Sequence, residues 1–151
     1  MKAVIQRVLE ANLKVDGELI SEIGQGYVIF LGVAKGDTTE DADYFIKKIP
    51  PLRICEDENG KINKSIIDVG GEILLVSQFT LYANTSHGNR PDFLAAEVPD
   101  KANELYQYVA EGLKKQGLTV KLGVFGADMK ISQINDGPFT VVLEKPDKNS
   151  H

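Results

Sequence analysis

Few side chains in this sequence are of a type that could do chemistry, and they gather in a few short stretches. In Ser77-Gln78-Phe79-Thr80-Leu81, two hydroxyls and an amide follow the apolar run Ile73-Leu74-Leu75-Val76. One reading is a strand end whose polar side chains satisfy nearby backbone groups. The other is a strand end that offers hydroxyls, an amide and free backbone N–H groups to a ligand, where the N–H groups could hold a developing oxyanion. Pattern alone favours the first, because Ser and Thr are common at such places. Asn135-Asp136-Gly137-Pro138 lies between two apolar runs. Alone it reads as a plain turn. Its Gly-Pro bond could also be cis, and such a loop could aim carbonyl oxygens at a ligand.

Other candidates are weaker. Thr85-Ser86-His87-Gly88-Asn89-Arg90-Pro91 is a polar loop. His87 could act as a base, but no Ser and Asp partners accompany it, so a solvated loop histidine is the plainer reading. Arg90 could meet a phosphate or simply be exposed. Arg7 stands inside an apolar strand, where a guanidinium needs acceptors. It either pins backbone carbonyls or reaches solvent. Cys55, the single cysteine, reads as a partly buried thiol because no histidine lies near it in sequence.

Composition narrows the classes. The chain has 151 residues, 42% hydrophobic and 26% charged, which fits one domain with one core. One cysteine allows no internal disulfide and suits a reducing compartment. The N-terminal residues lack a signal-peptide pattern and no apolar run suits a bilayer, so a cytoplasmic location is expected. The net charge of −5 argues against coating nucleic acid by bulk charge, though not against gripping one RNA end. Two histidines and one cysteine make no zinc site, so chemistry without metal or cofactor is expected. Gly32-Val33-Ala34-Lys35-Gly36-Asp37 lacks the spacing of a phosphate loop.

The elements that must position these groups form an α+β domain, with a mostly antiparallel, barrel-like sheet and two principal helices. Strands are expected at 4–8, 12–15 and 18–23, with Asp16-Gly17 as a hairpin turn. A continuous apolar run at 27–33 suits a strand covered on both faces. Periodicity predicts a helix over 39–49, capped by Asp37 or Thr38, and a second over about 100–116 closed by Gly117. Further strands are expected at 73–79, 118–124, 130–134 and 139–143. The domain spans 1–145, and 146–151 is a polar tail.

Together these segments resemble the D-aminoacyl-tRNA deacylase family, whose signatures are an S-Q-F-T-L stretch and an N-x-G-P-x-T stretch. Both occur here, in the same order, as Ser77-Gln78-Phe79-Thr80-Leu81 and Asn135-Asp136-Gly137-Pro138-Phe139-Thr140. Ala3-Val4-Ile5-Gln6-Arg7-Val8, Gly88-Asn89-Arg90-Pro91 and Gly123-Val124-Phe125-Gly126-Ala127-Asp128-Met129 are also similar to family segments. Phe139 departs from the pattern, since Val is commoner there. Asp128 also stands where some relatives have Met.

The resemblance implies a homodimer in which each site draws on both subunits and acts on the 3′ end of aminoacyl-tRNA. Ser77, Gln78, Phe79 and Thr80 would form the catalytic wall of one subunit. Gly137 and Pro138, through a cis bond, would enter from the other, with Asn135 beside them and Arg7 holding the loop. Ala102, Phe125 and Met129 would cradle the terminal adenosine. The reaction implied is hydrolysis of the ester of D-aminoacyl-tRNA, and of glycyl-tRNA, as chiral proofreading in translation. Lys14, Lys47, Lys48, Arg90 and Lys130 are candidates for the tRNA face. Two competing readings are a deacylase that proofreads an L-amino acid, against which the intact S-Q-F-T speaks, and an RNA-end binding or structural module without activity.

Overall fold

The structure is a computed structural model and describes residues 1–146. Residues 147–151, nearly all of the expected tail, lie outside the described residues.

The longest early element is β1 (Lys2–Val15), a single strand where two were expected. Residues 9–11 carry no turn-forming Gly or Pro, so nothing interrupts the extended backbone. Asp16 and Gly17, both at positive φ, reverse the chain into β2 (Glu18–Ile23), as the Asp-Gly pair predicts. β3 (Gly26–Gly32) follows. The far end of β1 pairs antiparallel with β2 and its near end with β3, while β8 (Lys130–Glu144) pairs antiparallel along nearly all of its other edge.

β3 leads through α1 (Thr39–Lys48) and a small hairpin, β4 (Cys55–Glu56) and β5 (Ile62–Lys64), to β6 (Glu72–Ser77). The second helix, α2 (Pro99–Lys115), then leads to β7 (Thr119–Leu122). β3, β6 and β7 are mutually parallel neighbours, so each crossover between them carries one helix. The six-stranded sheet runs β2-β1-β3-β6-β7 with β8 on the other side of β1, nearly closing a barrel. The antiparallel half matches expectation. The parallel half was not legible, because a buried strand looks alike in either direction.

β3 is covered on both faces. Tyr27, Ile29 and Leu31 join the larger core under the helices, with Ala42 and Phe45 of α1 and Leu105, Tyr106, Val109 and Leu113 of α2. Val28 joins a second core with Val8, Leu13, Leu74 and Val76. Thr38, not Asp37, caps α1, and the Asp41 carboxylate accepts the Thr38 N–H at 2.9 Å. Asp37 instead accepts the Ala34 N–H at 2.7 Å and meets the Met1 ammonium at 2.7 Å. That pair ties the loop after β3 to the start of β1.

Tyr106 links the helix layer to the sheet. Its hydroxyl donates to the Leu75 carbonyl of β6 at 2.6 Å, and burial pushes its pKa up to about 12. Tyr106→Phe removes this bond within a packed core. Urea denaturation should show a loss of about 1 kcal/mol, the ordinary net value of a buried hydrogen bond. An unchanged midpoint would mean that the hydroxyl contributes nothing to holding α2 on β6.

Candidate active site

The two motif segments sit in different kinds of structure. β6 ends at Ser77, two residues sooner than expected, and Phe79–Tyr82 form one 3₁₀ turn. The change of geometry has a local cause. The Gln78 N–H still extends the ladder by donating to the Leu31 carbonyl at 2.8 Å, and the Leu81 N–H turns back to the Gln78 carbonyl. The turn rests on Gly32, where a Cβ would fall 3.1 Å from both the Gln78 carbonyl oxygen and Leu81 Cβ. A side chain at 32 would fit only if the turn yielded by a few tenths of an ångström.

A 3₁₀ turn uses its later N–H groups internally and leaves the first ones free. Among the described residues, the Phe79 and Thr80 N–H groups have no acceptor. Gln78 Nε2 donates to Thr80 Oγ1 in a short contact. The Thr80 hydroxyl makes no hydrogen bond to a His, Lys or carboxylate among the described residues. The arrangement therefore offers backbone donors at 79 and 80, and an exposed hydroxyl without a base.

Ser77, Gln78 and Phe79 line a cavity of about 630 Å³. Ala102 at the start of α2, and Phe125 and Met129 of the segment before β8, line it too. These six predicted residues, from three stretches, thus share one space. Thr80 stands just outside the lining. Sequence reading missed other residues of the lining: Lys35 on the loop after β3, and Phe93, Leu94, Ala96, Glu97 and Val98. Phe93 meets Phe79 edge to face with ring centroids 5.1 Å apart. The apolar pair Phe93-Leu94 in a polar stretch was the available signal. The stretch at 93–98 is fastened to the loop after β3 by three bonds. Lys35 N–H donates to Ala95 at 2.9 Å, Glu97 N–H to Val33 at 2.9 Å, and Gly36 N–H to the Glu97 carboxylate at 3.3 Å. The Val98 N–H also donates to that carboxylate and holds its pKa below the usual range.

Arg7, Asn135, Gly137 and Pro138 are absent from the cavity wall. Gly137 and Pro138 occupy a bulge in β8, with Asn135 at its edge and Arg7 facing it from β1; β8 is one strand where two strands joined by a turn were expected. Val8 pairs with Asn135 and Gln6 with Thr140, so the four residues between face Arg7 alone. Both halves of β8 follow β1, which is why the Asn-Asp-Gly-Pro pattern makes a bulge and not a reversal. The Gly137–Pro138 bond is cis, and both residues are exposed.

The bulge is held by Arg7, which is only 5% exposed. Its Nε donates to the Asp136 carbonyl at 3.1 Å and lies 3.4 Å from the Asp136 carboxylate. Its two terminal nitrogens donate to the Ile54 carbonyl at 2.9 Å and to Glu56 at 3.3 Å. The Phe139 ring covers the guanidinium at 4.9 Å, which gives the departure from Val a physical role. Gln133 donates to Asn135 Oδ1 at 2.6 Å.

The remaining candidates stay apart. His87 and Arg90 are exposed. Cys55 is buried beside the Tyr27 hydroxyl at 3.3 Å, and burial pushes its thiol pKa up. Lys14 and Lys130 are cross-strand partners, whereas Lys47 and Lys48 close α1.

The sequence profile of the family described as D-Tyr-tRNA(Tyr) deacylase matches residues 4–144. The chain belongs to this family. It is 53% identical over 146 residues to the D-aminoacyl-tRNA deacylase of Geotalea daltonii, covering 97% of each chain. It is 54% identical over 144 residues to that of Persephonella marina, covering 95% of this chain and 97% of the other. The solved structure of the c-Myc DNA Unwinding Element Binding Protein is 44% identical with a TM-score of 0.90, over 97% of this chain and all of that one. Membership in the deacylase family thus extends over both motif segments and the elements that hold them.

Arg7→Lys tests the fastening of the bulge. One ammonium cannot reach acceptors on three sides of a planar guanidinium. Chemical denaturation should show a loss of about 1–3 kcal/mol. Equal stability of the two proteins would mean that these contacts do not fasten the bulge.

Proposed function

We propose that this member of the deacylase family hydrolyses the ester joining a D-amino acid to the 3′ end of tRNA, in a site shared by two copies of the chain. The single observation that carries the shared site is the division of the motifs. The cavity holds Ser77, Gln78 and Phe79 beside free N–H groups, whereas Gly137 and Pro138 stand exposed and outside its wall. A second copy bringing its bulge to the cavity mouth unites the two without altering either.

In this reading the terminal adenosine lies against Ala102, Phe125 and Met129. The ester carbonyl meets the Phe79 and Thr80 N–H groups. Water attacks the carbonyl carbon, and the oxyanion that forms is held by those donors. Collapse releases the amino acid and returns a proton to the 3′ oxygen of the ribose. Thr80 has no base beside it, so it positions and does not attack. The neighbouring 2′-hydroxyl of the substrate assists the proton transfers. A reaction that asks this little of side chains suits an enzyme acting without metal or cofactor.

Selection by hand works through exclusion. D and L residues carry the same groups, so attraction separates them poorly and a steric obstacle separates them well. The Gly137 and Pro138 carbonyls, held near the α-carbon, would block an L side chain and leave a D side chain in open space. Glycine, with no side chain, would pass. We place the reaction in the cytoplasm, where aminoacyl-tRNA is made and used.

The deciding assay compares D-, L- and glycyl-tRNA carrying the same tRNA. D-aminoacyl and glycyl esters should be cleaved, and L-aminoacyl esters at least 100-fold more slowly. Equal rates for D and L would sink the exclusion mechanism, and no cleavage of any would leave an RNA-end binding module. Thr80→Ala should keep more than a tenth of the wild-type kcat. Complete inactivity of a folded variant that still binds tRNA would restore Thr80 as nucleophile. Light scattering at assay concentration should give twice the chain mass. A fully active monomer would exclude the shared site.

A further inference from the structure

The cavity wall contains one cation that the mechanism above does not use. Lys35 borders the cavity from the loop after β3. The two acids of the wall each have a lysine of their own. Glu97 lies 3.4 Å from Lys101, and Asp128 lies 3.1 Å from Lys130. Among the described residues the Lys35 ammonium makes neither an ion pair nor a hydrogen bond, and its side chain is exposed. The backbone beneath it is fixed. Lys35 N–H donates to Ala95, and two residues on, Asp37 holds both the Ala34 N–H and the Met1 ammonium. An exposed cation without a side-chain partner among the described residues thus stands at the edge of a largely apolar space, on a chain whose net charge is −5.

We infer that Lys35 binds the phosphate that joins the terminal adenosine of the tRNA to the nucleotide before it, and so selects tRNA-linked esters over small esters. The inference rests on the reading that the cavity takes the acylated terminal nucleoside. A cavity of about 630 Å³ is of the size that takes one small molecule. A nucleoside seated there leaves its 5′-phosphate at the rim, where the strand leaves the protein. A phosphate at such a rim needs a cation, and a flexible ammonium serves as a point charge for it. Because the acids of the wall are matched by Lys101 and Lys130, Lys35 supplies that charge without competition. Lys35 is a positioning residue in this scheme, since it touches neither the ester nor the oxyanion.

The test compares D-tyrosyl-tRNA with 3′-O-D-tyrosyl-adenosine, which has the same ester and no phosphate. Lys35→Ala should raise KM for the tRNA ester about tenfold with kcat within twofold, Lys35→Glu should raise it further, and Lys35→Arg should restore most of the loss. The KM effect should be at least fivefold larger on the tRNA ester than on the adenosine ester. Equal effects on the two esters, or no effect on the tRNA ester, would overturn the inference. An independent reading is equilibrium binding of tRNA carrying a 3′-D-tyrosyl amide across a salt series. Lys35→Ala should flatten log Kd against log salt by about 0.7, one single-strand phosphate contact. An unchanged slope overturns the inference whatever the kinetics. Val98→Trp, which crowds the cavity from an exposed position, should impair both esters. If it impairs neither, the cavity is not the nucleoside site, and that failure is separate from any result at Lys35.

Discussion

One strand paired along both edges is the constraint on which the structure depends. β1 hydrogen-bonds to β2 and β3 on one side and to β8 on the other. A strand in that position cannot bend or slip without breaking two ladders. The second motif is therefore held in register with Gln6 and Val8 of β1, although some 130 residues separate them in sequence. Arg7 belongs to this same strand. Burying its charge is costly unless its donors are all met. The β8 bulge meets the cost by offering the Asp136 carbonyl and carboxylate, while the chain before β4 offers Ile54. The bulge is thus shaped by the needs of a cation as much as by its own Gly-Pro pair.

The cavity side follows a different logic. In the proposed mechanism the supply of backbone N–H groups there matters more than the supply of side chains. A β-strand continuing through Phe79 would have directed its N–H groups along the strand spacing of the ladder. A 3₁₀ turn placed against Gly32 leaves two successive donors unused. These donors cannot be protonated away and need no base, so a site built on them has little dependence on the titration of side chains. The two acids near it are each matched by a lysine, Glu97 by Lys101 and Asp128 by Lys130.

The two sides of the cavity are also supported differently. The Phe79 turn is backed by β3, and the β6 strand that leads into it is tied to α2 through Tyr106. The outer wall at 93–98 has less core behind it and relies on backbone bonds to the loop at 33–37. That loop in turn is tied to the start of β1 by Asp37. Strand, loop and wall therefore form one connected path from β1 to the cavity, which links the pocket to the same element that fixes the bulge.

The sequence by itself determined the elements whose signals are local. The stripes of α1 and α2, the Asp16-Gly17 turn and the apolar run of β3 follow from side-chain period and turn chemistry, and the structure keeps them. The two motifs were legible as patterns, and with them the family. The tertiary structure alone decided what each motif became. The turn that begins at Phe79 packs closely on Gly32, 47 positions earlier by residue number. Whether Asn135-Asp136-Gly137-Pro138 reverses the chain depends on β1, which pairs with both flanks and turns an expected hairpin into a bulge. Parallel pairing of β3, β6 and β7 was hidden for the same reason, since a strand buried on both faces has an apolar pattern that carries no direction. Types and spacing settle local geometry; partners distant in the chain settle which backbone groups are left free, and in the proposed mechanism those are the groups that hold the oxyanion.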